Sequence, residues 1–286
     1  MPFTLSHAAA VLPGVRADGS GRGRLVPAVL VAGSFAPDLT YYAASVRPSA
    51  MEFGKVTHSV PGVLTVDALA AWALVGFWLI LREPLVALLP RARQGRPAAL
   101  LRCGTPRARV RPASVAWWYV SAALGALTHV GWDAFTHHDR WGTRLFPLLD
   151  REIAGSPLWW YVQYGGSALA AVVLVGFVVR ALRRVPPAAP TGLPVLSGRD
   201  RWWAVAAVGG CAVAGAVQRA SRWWSHWGAV AKPLELIPSV CFGAGAALLP
   251  GLLLYALAVR VWRPAPSPGA VGDDGTGVAT DRPAAR

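Results

Sequence analysis

Three ionisable residues spaced four apart, His129, Asp133 and His137, lie within or at the end of an apolar run that begins near Val115. Four residues advance an α-helix by one turn plus about 40°, so the three side chains share one face. Ionisable groups are costly at membrane depth, and where a chain keeps them a functional site is the first hypothesis. His129 and Asp133, one turn apart, can hold one metal ion as paired ligands on zincin helices do. His137 lies about 12 Å along the axis from His129 on a regular helix, too far to share that ion. Either the helix breaks near Thr136, or His137 serves a second ion or the substrate. His7, Asp38 and His58 add donors of the same nitrogen and oxygen types. Imidazole with carboxylate suits zinc, manganese or iron. The lack of thiolate pairs argues against a structural zinc clip. Cys103, Cys211 and Cys241 form no CxxC pattern. Two ions about 4 Å apart would favour phosphoester hydrolysis, by activating water and clamping the leaving oxygen.

The composition says what kind of scaffold must position these groups. Apolar residues make up 54% of the 286 and charged residues 15%. With several long apolar runs, this points to a polytopic membrane protein. The net charge of +14 could suggest a nucleic-acid partner. That reading is rejected, because the arginines cluster in loops between the apolar runs, as bilayer topology requires. Many of the 14 Trp sit near run ends, as interface anchors. The opening residues lack the basic region of a signal peptide and are taken as part of the mature protein. Membrane lipids are the expected surroundings, and a lipid-like molecule the expected substrate.

The chain divides accordingly. Residues 3–13 and 25–36 read as a short helical hairpin or re-entrant pair, with Thr4 or Ser6 as a cap and Pro13-Gly14 as a stop. His7 begins one arm and Asp38 follows the other, which sets both at one level. After a polar connection over 39–56, spanning helices are expected at about 60–81, 113–136, 158–180, 202–218 and 236–260. Thr57 or Ser59 would cap the first. The Arg-rich loops 82–112 and 185–201 are assigned to the cytoplasm. That places the start of the first helix and the end of the second on the outer side, which brings His58 to His129, Asp133 and His137 without using the histidines in the argument. The fold is thus expected to be an all-α membrane helix bundle of about five spanning helices plus the hairpin. One integral membrane domain covers 1–262, and 263–286 form a disordered Pro- and Gly-rich tail.

Other polar residues carry weaker signals. Asp67 lies about 13 Å below His58 on a continuous helix, which suits a buried hydrogen-bonding or proton-handling group. Gln163 and Tyr164 are candidates for donors behind the ligands. Arg219 and Arg222 are interface anchors or receivers of an anionic head group. His138, Asp139 and His226 are assigned to the interface.

On these residues the chain resembles a family of uncharacterised bacterial membrane proteins, the domain of unknown function 4184. The shared segments are Met1-Pro2-Phe3-Thr4-Leu5-Ser6-His7, Gly33-Ser34-Phe35-Ala36-Pro37-Asp38, Thr57-His58-Ser59 and His129-x-x-x-Asp133-x-Phe135-Thr136-His137, over roughly residues 1–180. The same order of motifs is similar to inner-membrane metal-dependent hydrolases of the YdjM type, and more remotely to zinc-dependent phospholipase C. The resemblance implies a hydrolase of the bacterial plasma membrane whose site faces the extracytoplasmic side. It implies His7, Asp38, His58, His129 and Asp133 as metal ligands, most simply of zinc, with manganese or iron as alternatives. Asp38 or Asp133 would be ligand or general base, with His137, Asp67 and Gln163 behind the ligands or toward the substrate. Two other classes compete. In one, the cluster only joins helices or binds an assembly partner. In the other, Asp67 and the histidines form a transport relay, which the few polar residues in the inner half of the helices disfavour.

Overall fold

The computed structural model describes residues 3–104, 112–186, 192–228 and 233–264, and these are almost wholly helical. The expected tail beyond residue 264 lies outside the described residues, as do Arg107, Arg109 and Arg111 of the first basic loop. The N-terminal hairpin is present. Its first arm, Thr4–Gly14, is a 3-10 helix. A turn closed by a Val15–Gly21 bridge leads to α1, Pro27–Phe35. A 3-10 turn, Ala36–Asp38, carries the chain into α2, Leu39–Ala43. The polar connection holds a further short turn and α3, Gly54–Thr57.

The first expected spanning helix is broken in two. Its start, α4 (Val60–Leu64), is capped by Ser59, whose hydroxyl accepts from the Gly62 amide at 3.2 Å. The long part, α5, runs from Val66 to Ala87. Thr65 between them has φ −125° and ψ −82°, outside the helical region. Its hydroxyl donates to the Pro61 carbonyl at 2.6 Å, and Tyr119 donates to the Leu64 carbonyl at 2.7 Å. Side chains therefore serve carbonyls that a continuous helix would have used. Asp67 accordingly sits in the first turn of α5 and not about two turns into a helix begun at residue 60.

A small helix, α6 (Gly95–Leu100), lies in the basic segment joining α5 to α7 (Pro112–Thr136). A short α8 (Trp141–Leu145) and a two-residue antiparallel pair, β1 (Glu152–Ile153) with β2 (Ser156–Pro157), then lead to α9 (Leu158–Arg184). The last two helices are α10 (Gly198–Trp227) and α11 (Leu236–Trp262). The expected end of α10 at Gln218-Arg219 does not occur. Gly228 is the first Gly or Pro after Gly215, and nothing in Gln218–Trp227 opposes helix.

Among the described residues, α5, α9, α10 and α11 are long and apolar enough to cross a membrane. At 25 residues, α7 has the length to span as well, about 37 Å. His129 and Asp133 interrupt its apolar run. The N-terminal hairpin packs against α5, α7 and α9. Glycine permits its closest approach. A Cβ on Gly33 would overlap the Ala122 carbonyl oxygen, and one on Gly125 would overlap that of Leu30, so α1 and α7 meet backbone to backbone. Small residues draw membrane helices together in this way. Gly215 of α10 and Gly243 of α11 form a second such crossing.

Candidate metal centre

Four side chains from three parts of the chain converge. Asp38 comes from the end of the hairpin, His58 from the C-terminal end of α3, and His129 and Asp133 from one face of α7. One donor atom from each lies within 4.8 Å of all the others. His129 Nε2 is 3.4 Å from Asp38 Oδ1 and 3.4 Å from Asp133 Oδ2. His58 Nε2 is 3.7 Å from each of the same two oxygens. The distance between residues 58 and 133 inferred from loop charges alone is thus one of direct contact.

The hydrogen bonds behind the two imidazoles decide what their inner nitrogens are. His129 Nδ1 is 2.8 Å from the Ser34 carbonyl oxygen, and His58 Nδ1 is 3.0 Å from that of Gly54. A carbonyl only accepts, so each Nδ1 carries the proton and, in the neutral ring, each Nε2 presents a lone pair. Neither Nε2 has a hydrogen-bond partner among the described residues, and both are buried. Two lone pairs therefore face two carboxylate oxygens, an arrangement that repels unless a cation lies between them. The separations of 3.4 to 3.7 Å exceed the roughly 2.7–2.9 Å of a charge-assisted hydrogen bond. All six donor–donor separations are at most 4.8 Å, and the four between imidazole and carboxylate lie close to the roughly 3.3–3.6 Å expected of donors that share one ion at about 2.0–2.2 Å. The donor set, its spacing and its orphaned nitrogens fit a divalent metal.

The outer oxygens and rings are also held. Thr4 donates to Asp38 Oδ2 at 2.5 Å, which turns Oδ1 toward the centre. The sequence suggested Thr4 as a helix cap, but residue 3 is the N-cap and no side-chain cap bond forms. A 3-10 helix has three residues per turn, so Thr4 and His7 stack on one edge and face the site together. His7 Nε2 is 3.5 Å from Asp133 Oδ1, the oxygen turned away from the other two histidines. Its ring stacks on that of His129, with centroids 3.6 Å apart. Both His7 ring nitrogens are buried and lack hydrogen-bond partners among the described residues. His7 therefore flanks the four-atom group without belonging to it.

His137 follows the end of α7, where the regular helix stops at Thr136. Its Nδ1 lies 3.7 Å from Asp133 Oδ2, and its Nε2 lies 3.0 Å from the Gln163 amide nitrogen. Its side chain is 35% exposed, so it stands at the mouth of the site. Tyr164 is turned elsewhere, toward the Leu234 carbonyl. Asp67 is fully buried outside the four-residue group, and neither of its oxygens has a hydrogen-bond partner among the described residues. Arg219 donates to the Tyr41 carbonyl at 2.7 Å and to the Ser45 hydroxyl at 2.6 Å, and Arg222 donates to the Ser45 carbonyl. Those two arginines tie α10 to the connection that carries His58. The exposed His138 faces Asp150, and His226 packs edge-on to Trp227.

The fold and site define a class: an all-α, multi-span membrane protein with a buried His/Asp centre able to hold a metal ion. The chain belongs to the family described as a domain of unknown function (DUF4184), whose model matches residues 1–257. The match extends beyond the N-terminal motifs through most of α11. No curated protein and no solved structure matches the chain.

Proposed function

We propose that the protein is a membrane-bound, metal-dependent hydrolase acting on a lipid or lipid-linked phosphoester. The observation that carries this reading is the pair of buried Nε2 lone pairs, fixed by backbone carbonyls and aimed at two carboxylates 3.4 to 3.7 Å away. Asp38, His58, His129 and Asp133 would hold the ion, with zinc favoured by the pairing of two imidazoles with two carboxylates. A divalent ion held there would have to take a water as a fifth donor, and it would then supply Lewis acidity and acidify that water. His7, against the outer oxygen of Asp133, is placed to share a proton with that carboxylate. His137, oriented by Gln163, links the centre to the mouth.

The arginine-rich segments at the far ends of α5 and α7 support an extracytoplasmic orientation of the site in a bacterial plasma membrane. Membrane lipids then surround the mouth and supply the substrate class, and residues 1–262 act as one integral membrane unit. The test is elemental analysis of detergent-purified protein, wild type beside Asp133→Ala, with turnover on phospholipid and soluble phosphoester panels with and without chelator. The expected result is about one zinc per chain in the wild type, its loss in the variant, and chelator-sensitive hydrolysis. Metal-free wild type, or turnover indifferent to chelator, overturns the reading.

A further inference from the structure

A cavity of about 30 Å³ adjoins the centre and is lined by His58, Val130, Asp133, Ala134, Arg140 and Trp141. Two of the four donor residues share it with one arginine. Arg140 is half-buried, and its guanidinium lies beside the Tyr41 hydroxyl. The Tyr41 ring in turn packs 5.4 Å from that of His58. Among the described residues no carboxylate lies within ion-pair distance of Arg140. Its acidic neighbour Asp139 is engaged by Arg144, whose Nε donates to Oδ1 at 2.9 Å. Asp150 faces His138. The Arg140 backbone is fixed, because its amide donates to Thr143 Oγ1 at 3.1 Å. An arginine acting only as an interface anchor would extend into the head-group region. This one lines the space beside His58 and Asp133, and no ion pair engages it among the described residues.

We propose that Arg140 is the anion clamp of the centre, and that the group bound between it and the four donor residues is a phosphoryl group. This rests on the metal reading above and adds to it the residue that recognises the substrate. The guanidinium fork matches two phosphoryl oxygens, and a cation held by the four donor residues would attract a third. The volume of about 30 Å³ is room for about one water. The half-buried arginine and the partly exposed His137 leave the mouth open to a larger group.

The test uses full-length protein in detergent, loaded with zinc, and titrates inorganic phosphate by calorimetry while zinc content is counted. Arg140→Gln is expected to keep its zinc and to bind phosphate at least about tenfold more weakly, the cost of losing charge-assisted hydrogen bonds. Phosphate affinity unchanged in a zinc-loaded Arg140→Gln overturns the clamp alone. Wild type that takes up no zinc overturns the metal reading and the clamp together. Where Arg140→Gln does not fold, Arg140→Lys decides. It keeps the charge and loses the fork, so weaker phosphate binding supports the clamp and wild-type binding refutes it. A second arm replaces phosphate with a short-chain phosphatidic acid. Tighter binding of the lipid assigns a head-group source, and equal binding assigns a soluble phosphoester.

Discussion

Replacing Thr4 by valine tests the centre without touching a donor. Valine has nearly the same shape as threonine, so packing in the 3-10 arm is kept. What is lost is the hydroxyl that donates to Asp38 Oδ2 at 2.5 Å. That length is typical of a strong hydroxyl-to-carboxylate bond. Both residues are buried, Thr4 at 4% and Asp38 at 2% exposure, so water has little room to replace the donor. Removing an outer partner of a metal-bound group typically costs about 10–100-fold in metal affinity. In free energy this is about 1.4–2.8 kcal/mol. The assay is competition for zinc against a chromophoric chelator in detergent, with wild type, Thr4→Val and Thr4→Ser side by side. Thr4→Val should fill to the same stoichiometry at a dissociation constant raised by that factor, and Thr4→Ser should stay near wild type. A Thr4→Val affinity within about twofold of wild type would mean that Asp38 needs no orientation, and the account of the hairpin as a ligand-positioning device would fail.

Four further outcomes follow from other features of the structure. Gly125→Ala sets a Cβ against the Leu30 carbonyl and should destabilise by about 1–3 kcal/mol through overpacking. Gly131→Ala, with nothing within 4 Å on the same helix, should be neutral or stabilising by about 0.5–1 kcal/mol. Thermal unfolding in detergent separates the two, and equal midpoints would contradict the backbone crossing. Arg219→Gln loses the bonds to Tyr41 and Ser45 and should cost about 1.5–3 kcal/mol in the same assay. Zinc free at 100 times its dissociation constant should stabilise the wild type by about 2.7 kcal/mol over the chelated protein. A midpoint indifferent to zinc would show that the folded state does not bind it.

Much of the site was legible because loop charge and helix period are global signals. The arginines set the direction of α5 and α7, and a step of four put His129 and Asp133 on one face. The pairing of His7 and Asp38 levels followed from the lengths of the hairpin arms, and Thr4 touching Asp38 reflects it. The break at Thr65 was hidden, because it depends on Tyr119 reaching back from α7 to a freed carbonyl. The carbonyls of Ser34 and Gly54 that fix the two imidazoles leave no trace in residue type, since every residue carries one. Gly33 and Gly125 did carry a signal in their small size, but what they pack against is a matter of tertiary structure. Arg140 was passed over because one more arginine in a basic chain stands out only when its acidic neighbours are seen to be engaged elsewhere.

The order of the donors along the chain bears on how the protein is made. Asp38, His58, His129 and Asp133 are all translated before the three helices that follow α8. The ribosome thus delivers every component of the centre while the remaining spans are still to emerge. Arg219 and Arg222 arrive late and fasten onto Tyr41 and Ser45, in the stretch between two of the donors. The helix α10 is therefore synthesised after the segment that its two arginines fasten.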